Sequence, residues 1–570
     1  MVLDFFDYAW NTSFQITKKK HGEVKLLVRD DVVFPLLGKD DAGYVICLPE
    51  PKKISGTTVE FHGLQLHIVD EFQKRVLWQL FRASVFHTSL HIATLGFESY
   101  SHWAKGKNEK LALYVASIIE DSVANAYLKN MWSPFIPDVA LANAIAYLRL
   151  KPIRLIFDDS LRLMATILSY FTIGKGNGKL SEEMQNTADN VVSYLSQIEN
   201  DASEFLLKNE TQEKFTEKKL KVADEIYVKL RKYGNPPSVV SLPYTDTYGD
   251  NSVYRRNITA TEEEFNELLN MAFSRFESQI FIDDSCERET NQAFSEWEAR
   301  RERQNKIIEN YKELLTETRF GGIEFPKEDY TEYLRSKQLL SSPVRRVMEK
   351  LRLLKNITGE DFKQESGLVD LQEAIQVVAS NSQRTDIFVR EELQTREEAW
   401  AIVIDASQSL SHFTGEVRGI ALSLGETAKN LIPTRSAWGI FAFNEKFHII
   451  KDFSENYSSR VCARIGGLQY GGLTYLPDSL KIAKQLLRKR IEEAKIIVLV
   501  SDFFPSGDKV IEEEAIQTIK QIEHSGFGLI GIGVKSRAVK NYVRVNCVVK
   551  TPYDLMKNFT KAFLEYSSSV

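Results

Sequence analysis

Cysteine is scarce in this chain. Its four cysteines, Cys47, Cys286, Cys462 and Cys547, stand far apart and form no C-x-x-C pair. That argues against a disulfide framework or a zinc knuckle and fits a reducing compartment. Long apolar runs are also missing. The longest, near Ile496–Val500 and Phe527–Val534, are strand-sized, far short of the roughly 20 residues a membrane helix needs. There is no basic excess: 73 Lys and Arg stand against 78 Asp and Glu, for a net charge of -5. A global field for nucleic acid is therefore absent. Met1 is followed by Asp4 and Asp7, acids where a secretion signal needs bases. A true phosphate loop is lacking as well. Gly174–Lys179 resembles one, but Ile173 stands where a glycine is required, and the stretch follows a helical pattern rather than a strand. These absences lead us to expect a soluble cytoplasmic protein with no integral membrane segment, no nucleic-acid partner and no nucleotide site of its own.

What is present is an ordinary globular composition, 43% hydrophobic and 26% charged over 570 residues. That length exceeds one core, so two to four domains are expected. Residues 1–70 mix short apolar runs with turns, and Val24–Val28, Tyr44–Leu48 and Val59–Phe61 read as strands of a small mixed cap. Over 71–240 the apolar period becomes helical, with helices near 72–90, 111–128, 139–150, 161–170 and 181–232. Residues 241–395 read as a helical and linker region. Thr259 or Thr261 serves there as an N-cap, and the alternating charges of 288–318 predict a solvated helix held by i,i+4 pairs. From 396 to 570 strands alternate with helices. Strands are expected at Ala401–Ile404, Ala437–Phe443, Phe447–Ile450, Ile496–Val500, Leu529–Val534 and Val543–Val549. Helices are expected at Thr414–Leu431, Leu476–Arg490, Ile511–His524 and Tyr553–Tyr566. Such alternation predicts a doubly wound α/β domain with a mainly parallel sheet, preceded by a mainly α-helical N-terminal region.

Three stretches of this last domain carry chemistry. An apolar run ends on Asp405, and hydroxyls follow at Ser407 and Ser409. Gly471-Gly472 turns the chain just before Thr474. A second apolar run, Ile496–Val500, leads to Asp502. Doubly wound sheets put such strand ends at one carboxyl edge. Two carboxylates and three hydroxyls there suit a hard divalent cation and leave it short of ligands, so water or an acidic group of a partner can complete the shell.

This pattern, D-x-S-x-S followed by a Thr and then an Asp, resembles the von Willebrand factor A (VWA) domain with its metal-ion-dependent adhesion site. The resemblance implies that Asp405, Ser407, Ser409, Thr474 and Asp502 bind Mg²⁺, with Mn²⁺ or Ca²⁺ as substitutes. The hydroxyls would bind directly, and the two aspartates directly or through water. One departure stands out. The family has Gly after the last Asp, whereas here Phe503-Phe504 follow, which alters the shape and polarity expected of the rim. Upstream, Val344–Leu351, Thr358–Asp361, Leu368–Ile375 and Asp386–Arg390 are similar to the approach to this domain in NorD-type nitric oxide reductase activation proteins, relatives of the cobaltochelatase CobT subunit. Ser501–Asp508 and Ile118–Asn125 resemble the same family. The resemblance implies a non-enzymatic adaptor that works beside a MoxR-type AAA+ ATPase to activate, assemble or insert cofactor into a target metalloenzyme complex. An adhesin with the same domain is the alternative, and it would require export.

His87 and His91 stand one helical turn apart, a spacing that can hold zinc, and Glu120 is the third ligand the sequence offers. A zinc peptidase would need Glu after its first His as general base; Thr88 stands there. A zinc hydrolase is thus a minor reading beside that of packed helix histidines.

Overall fold

The computed structural model describes residues 4–94, 99–208, 211–245, 252–258, 260–278, 284–340, 359–380, 382–392, 397–432, 434–504 and 509–569. The chain divides into two compact units, Met1–Arg301 and Glu302–Val570. The expected helix start at Thr259, the stretches 342–351 and 357–358, and the loop residues 505–508 lie outside the described residues.

The first unit opens with a helix, Phe5–Thr17, whose N-cap Asp4 accepts a hydrogen bond from the Asp7 amide. Two small sheets follow. In one, Gly43–Pro49 lies between Val24–Arg29, parallel to it, and Leu36–Asp40, antiparallel. The other is the meander Lys52–Ser55, Thr58–Phe61, Leu64–His67. The three strands expected from the apolar runs are all present. Helices then dominate: Glu71–Thr94, Glu109–Met131, Ile136–Arg149, Asp159–Ile173, Glu182–Lys208, Gln212–Arg231 and Glu262–Arg275. Local chemistry sets their ends. The Asn108 and Asp158 side chains accept from the amides of Leu111 and Leu161, and Thr261 forms a full capping box with Glu264. Gly174, at φ +80°, closes Asp159–Ile173 by donating its amide to Tyr170 O. The glycine-rich stretch therefore begins as a helix C-cap, where a residue without Cβ takes the left-handed conformation at little cost.

The unit boundary falls inside the helix Asp284–Leu315. The second unit is built on a seven-stranded sheet. Its order is Val545–Val549, Gly528–Val534, Ala494–Ser501, Glu398–Asp405, Trp438–Phe443, Phe447–Lys451 and Ile323–Glu324. Phe447–Lys451 runs antiparallel to Trp438–Phe443; the other pairings are parallel. Alternation along the strands divides the core in two. Trp400, Ile402 and Ile404 join Val498 and Val500 on one face, while Ala401, Val403, Ile497 and Leu499 line the other. Both faces are covered, so Glu398–Asp405 is almost wholly buried and reads as an unbroken apolar run. Thr414–Leu431 and Pro552–Ser569 cover the first face; Leu476–Arg488 and Lys509–His524 cover the second. Two of the elements that the sequence did not signal stand out. One is the edge strand Ile323–Glu324, too short to show a period. The other is the helix Ser459–Gly466, ended where Gly466 and Gly467 pass too close to the Asp329 and Lys327 carbonyls to admit a Cβ. Between residues 359 and 392, Gly359–Gln364, Phe388–Glu392 and Leu368–Val369 form a separate small sheet beside the helix Leu371–Ala379. Leu371, Ile375 and Val378 of that helix are exposed.

Candidate metal centre

Chain order reverses at Glu398–Asp405. The next strand, Trp438–Phe443, pairs on one side, and Ala494–Ser501 pairs on the other. In an open α/β sheet the crevice beyond the carboxyl ends at such a reversal is the natural ligand position. Ile404 is in register with Val500, so Asp405 and the Ser501-Asp502 pair leave neighbouring parallel strands at the same edge.

Asp405 is fully buried. Its Oδ1 accepts from the Ser407 amide at 2.9 Å, and its Oδ2 accepts from Ser501 Oγ at 2.6 Å. Ser407 Oγ and Ser409 Oγ lie 3.0 Å apart. Thr474 arrives on its glycine turn, which two backbone hydrogen bonds tie to the Asp405 loop. Gly471 donates to Ala406 O at 2.9 Å, and Gln408 donates to Gly472 O at 3.1 Å. Gly472 sits at φ +75°, and a Cβ there would meet the Glu445 side chain, so both conformation and space favour glycine. Asp502 is buried, and its Oδ1 accepts from the Phe504 amide at 3.1 Å. Ser407 and Thr474 are buried and Ser409 is exposed, so the cluster reaches from the interior to the surface.

Burial raises the Asp405 carboxyl to about 6. The nearby Asp502 charge pushes the same way, against the hydrogen bonds from Ser407 and Ser501. A divalent cation at this edge would offset both the burial and the repulsion. The donor set is all oxygen, two carboxylates and three hydroxyls, which matches a hard ion and offers nothing to a soft one.

Phe503, which follows Asp502, lies at φ +58°, where glycine is favoured. Its amide donates to Ser501 Oγ at 3.0 Å, and its ring is buried 5.7 Å from that of Tyr542. The Phe503 side chain is turned into the core, whereas Phe504 lies exposed beside the site. Ser501 escaped the sequence reading as a site residue. The signal was its hydroxyl, which breaks the apolar run just before the acid.

In the first unit, His87 and His91 are buried on Glu71–Thr94, and buried Asp121 on Glu109–Met131 faces them. The two Nε2 atoms lie 2.7 Å apart. Asp121 Oδ1 is 3.1 Å from His87 Nε2 and 3.5 Å from His91 Nε2. Glu120, the ligand expected from the sequence, is turned elsewhere: its Oε1 accepts from Lys219 Nζ at 2.8 Å and Tyr100 Oη at 2.9 Å. Thr88, in the position a peptidase gives to Glu, donates to Ser84 O at 2.8 Å. Burial alone would raise the Asp121 carboxyl; hydrogen bonds from both histidines outweigh it and hold it at about 2.

No family model and no curated protein matches the chain. Among solved structures, the chain is similar to the vWF domain of the type V pili tip protein Mfa5 from Porphyromonas gingivalis. The identity is 13% and the TM-score 0.25, over 30% of this chain and 96% of that one. A likeness of that size assigns nothing by itself. Among the described residues, no helix is long and apolar enough to cross a membrane.

Proposed function

We propose that the second unit is a VWA-type recognition domain and that the protein is a non-enzymatic, Mg²⁺-dependent adaptor. Asp405, Ser407, Ser409, Thr474 and Asp502 hold the ion, and an acidic side chain of a partner completes its shell. One observation carries this reading: neighbouring parallel strands deliver both aspartates to one edge, and backbone hydrogen bonds lock the Thr474 turn to the Asp405 loop. The ion supplies the positive charge that a partner carboxylate needs. The protein's part is to fix the oxygens and leave one position open. The similarity of the upstream stretches to NorD-type proteins supports a MoxR-type AAA+ ATPase as the partner and a metalloenzyme complex as the target.

The test is capture of an AAA+ ATPase by the tagged full chain with and without Mg²⁺. Capture is expected in Mg²⁺, and EDTA or Asp405→Ala should abolish it while circular dichroism stays unchanged. Capture that survives EDTA would sink the proposal.

A further inference from the structure

The first unit holds a second cluster of metal-ligating atoms whose chemistry differs from that of the sheet edge. His87 Nε2, His91 Nε2 and Asp121 Oδ1 form a triangle with edges of 2.7, 3.1 and 3.5 Å. Protons alone satisfy that triangle poorly. Each Nε2 carries either one proton or one lone pair. If one imidazole donates to the other, the acceptor's lone pair is spent and Asp121 Oδ1 faces it without a proton between them. If both donate to Asp121, two N–H groups meet at 2.7 Å. Either way one edge sets like against like. A cation within reach of all three atoms satisfies every edge at once. Tetrahedral Zn²⁺ with ligands at about 2.0–2.1 Å separates them by roughly 3.3 Å, and the observed edges bracket that value.

The surroundings fit as well. All three ligands are buried, so an ion there would bind in a low-dielectric site where charge attraction is strong. The ligands come from two helices, 71–94 and 109–131, that pack together, so an ion would clip them. Tyr244 covers His87 edge-on at 5.7 Å, and its hydroxyl is committed to Asn143 Oδ1 at 2.8 Å. Two imidazoles and one carboxylate suit a borderline divalent ion such as Zn²⁺ and contrast with the oxygen set of the sheet edge. We infer that His87, His91 and Asp121 form a buried binding site for a divalent transition-metal ion that joins the two helices, independent of the Mg²⁺ site.

The full chain, stripped by chelation, is to be dialysed against Zn²⁺ with Mg²⁺ in large excess to fill the oxygen site. About one zinc per chain should be retained, and zinc-edge X-ray absorption should show two imidazoles in the ligand shell. His91→Gln should retain none. No retained zinc, or a shell without imidazole, overturns the inference. The absorption measurement uses the unaltered chain, so it decides the matter even if the variant fails to fold. Partner capture is not part of the readout, so failure here leaves the adaptor proposal standing, and the converse also holds.

Discussion

At Phe503 two opposing terms meet in one residue. The left-handed backbone costs a non-glycine residue about 1–3 kcal/mol, whereas removing a buried phenylalanine side chain costs about 3–5 kcal/mol. Burial wins. Phe503→Gly is expected to relieve the backbone yet lower stability by roughly 2 kcal/mol, read as a lower urea midpoint with an unchanged slope. A stabilised variant would show that the turn, not the ring, governs this position. The same residue shows how far single positions were legible. Asp405, Ser407 and Ser409 stood out because acid and hydroxyls follow an apolar run. The seat of Phe503 did not, because φ is set by the strand end and by the space beside Tyr542.

Among the elements, the hairpin Thr58–Phe61 and Leu64–His67 is closed by His62-Gly63, with Phe61 paired to Leu64. Both turn residues have positive φ, +50° and +69°, as a two-residue turn matched to strand twist requires. Gly63 was the visible half of that signal. His62 is buried, 3.3 Å from Ser84 Oγ. Burial, helped by the Arg149 charge, holds its imidazole well below the ordinary histidine value. The folded chain therefore refuses a proton that the unfolded chain accepts below about pH 6.5. Stability from this group is complete above that value and falls as pH drops below it, by at most about 1.4 kcal/mol per pH unit. His62→Asn keeps a residue that tolerates positive φ. Its denaturation midpoint should fall less steeply than the wild type's between pH 7 and 5. Equal slopes would remove His62 from the acid response. The apolar run before Asp405 was legible as a strand, and the pleat then divides its side chains between two cores.

The whole molecule comprises two units with separate apolar cores, and two calorimetric transitions are expected. Mg²⁺ at about 100 times its dissociation constant adds about 2.7 kcal/mol to whichever unit binds it. One transition should therefore shift upward, and Asp405→Ala should erase that shift. Movement of both transitions, or a shift that persists in the variant, would contradict confinement of the Mg²⁺ site to the second unit. The sequence by itself determined the oxygen donors at the strand ends, the alternation that buries both faces of the sheet, and the caps that start and stop the helices. Each of these depends on neighbours a few residues away, so local spacing is enough. Tertiary structure alone decided that Ser501 bonds Asp405 and that Asp121 rather than Glu120 faces His87 and His91. Successive helix residues point about 100° apart, and which of two adjacent acids meets the histidines depends on how a distant segment packs against the helix.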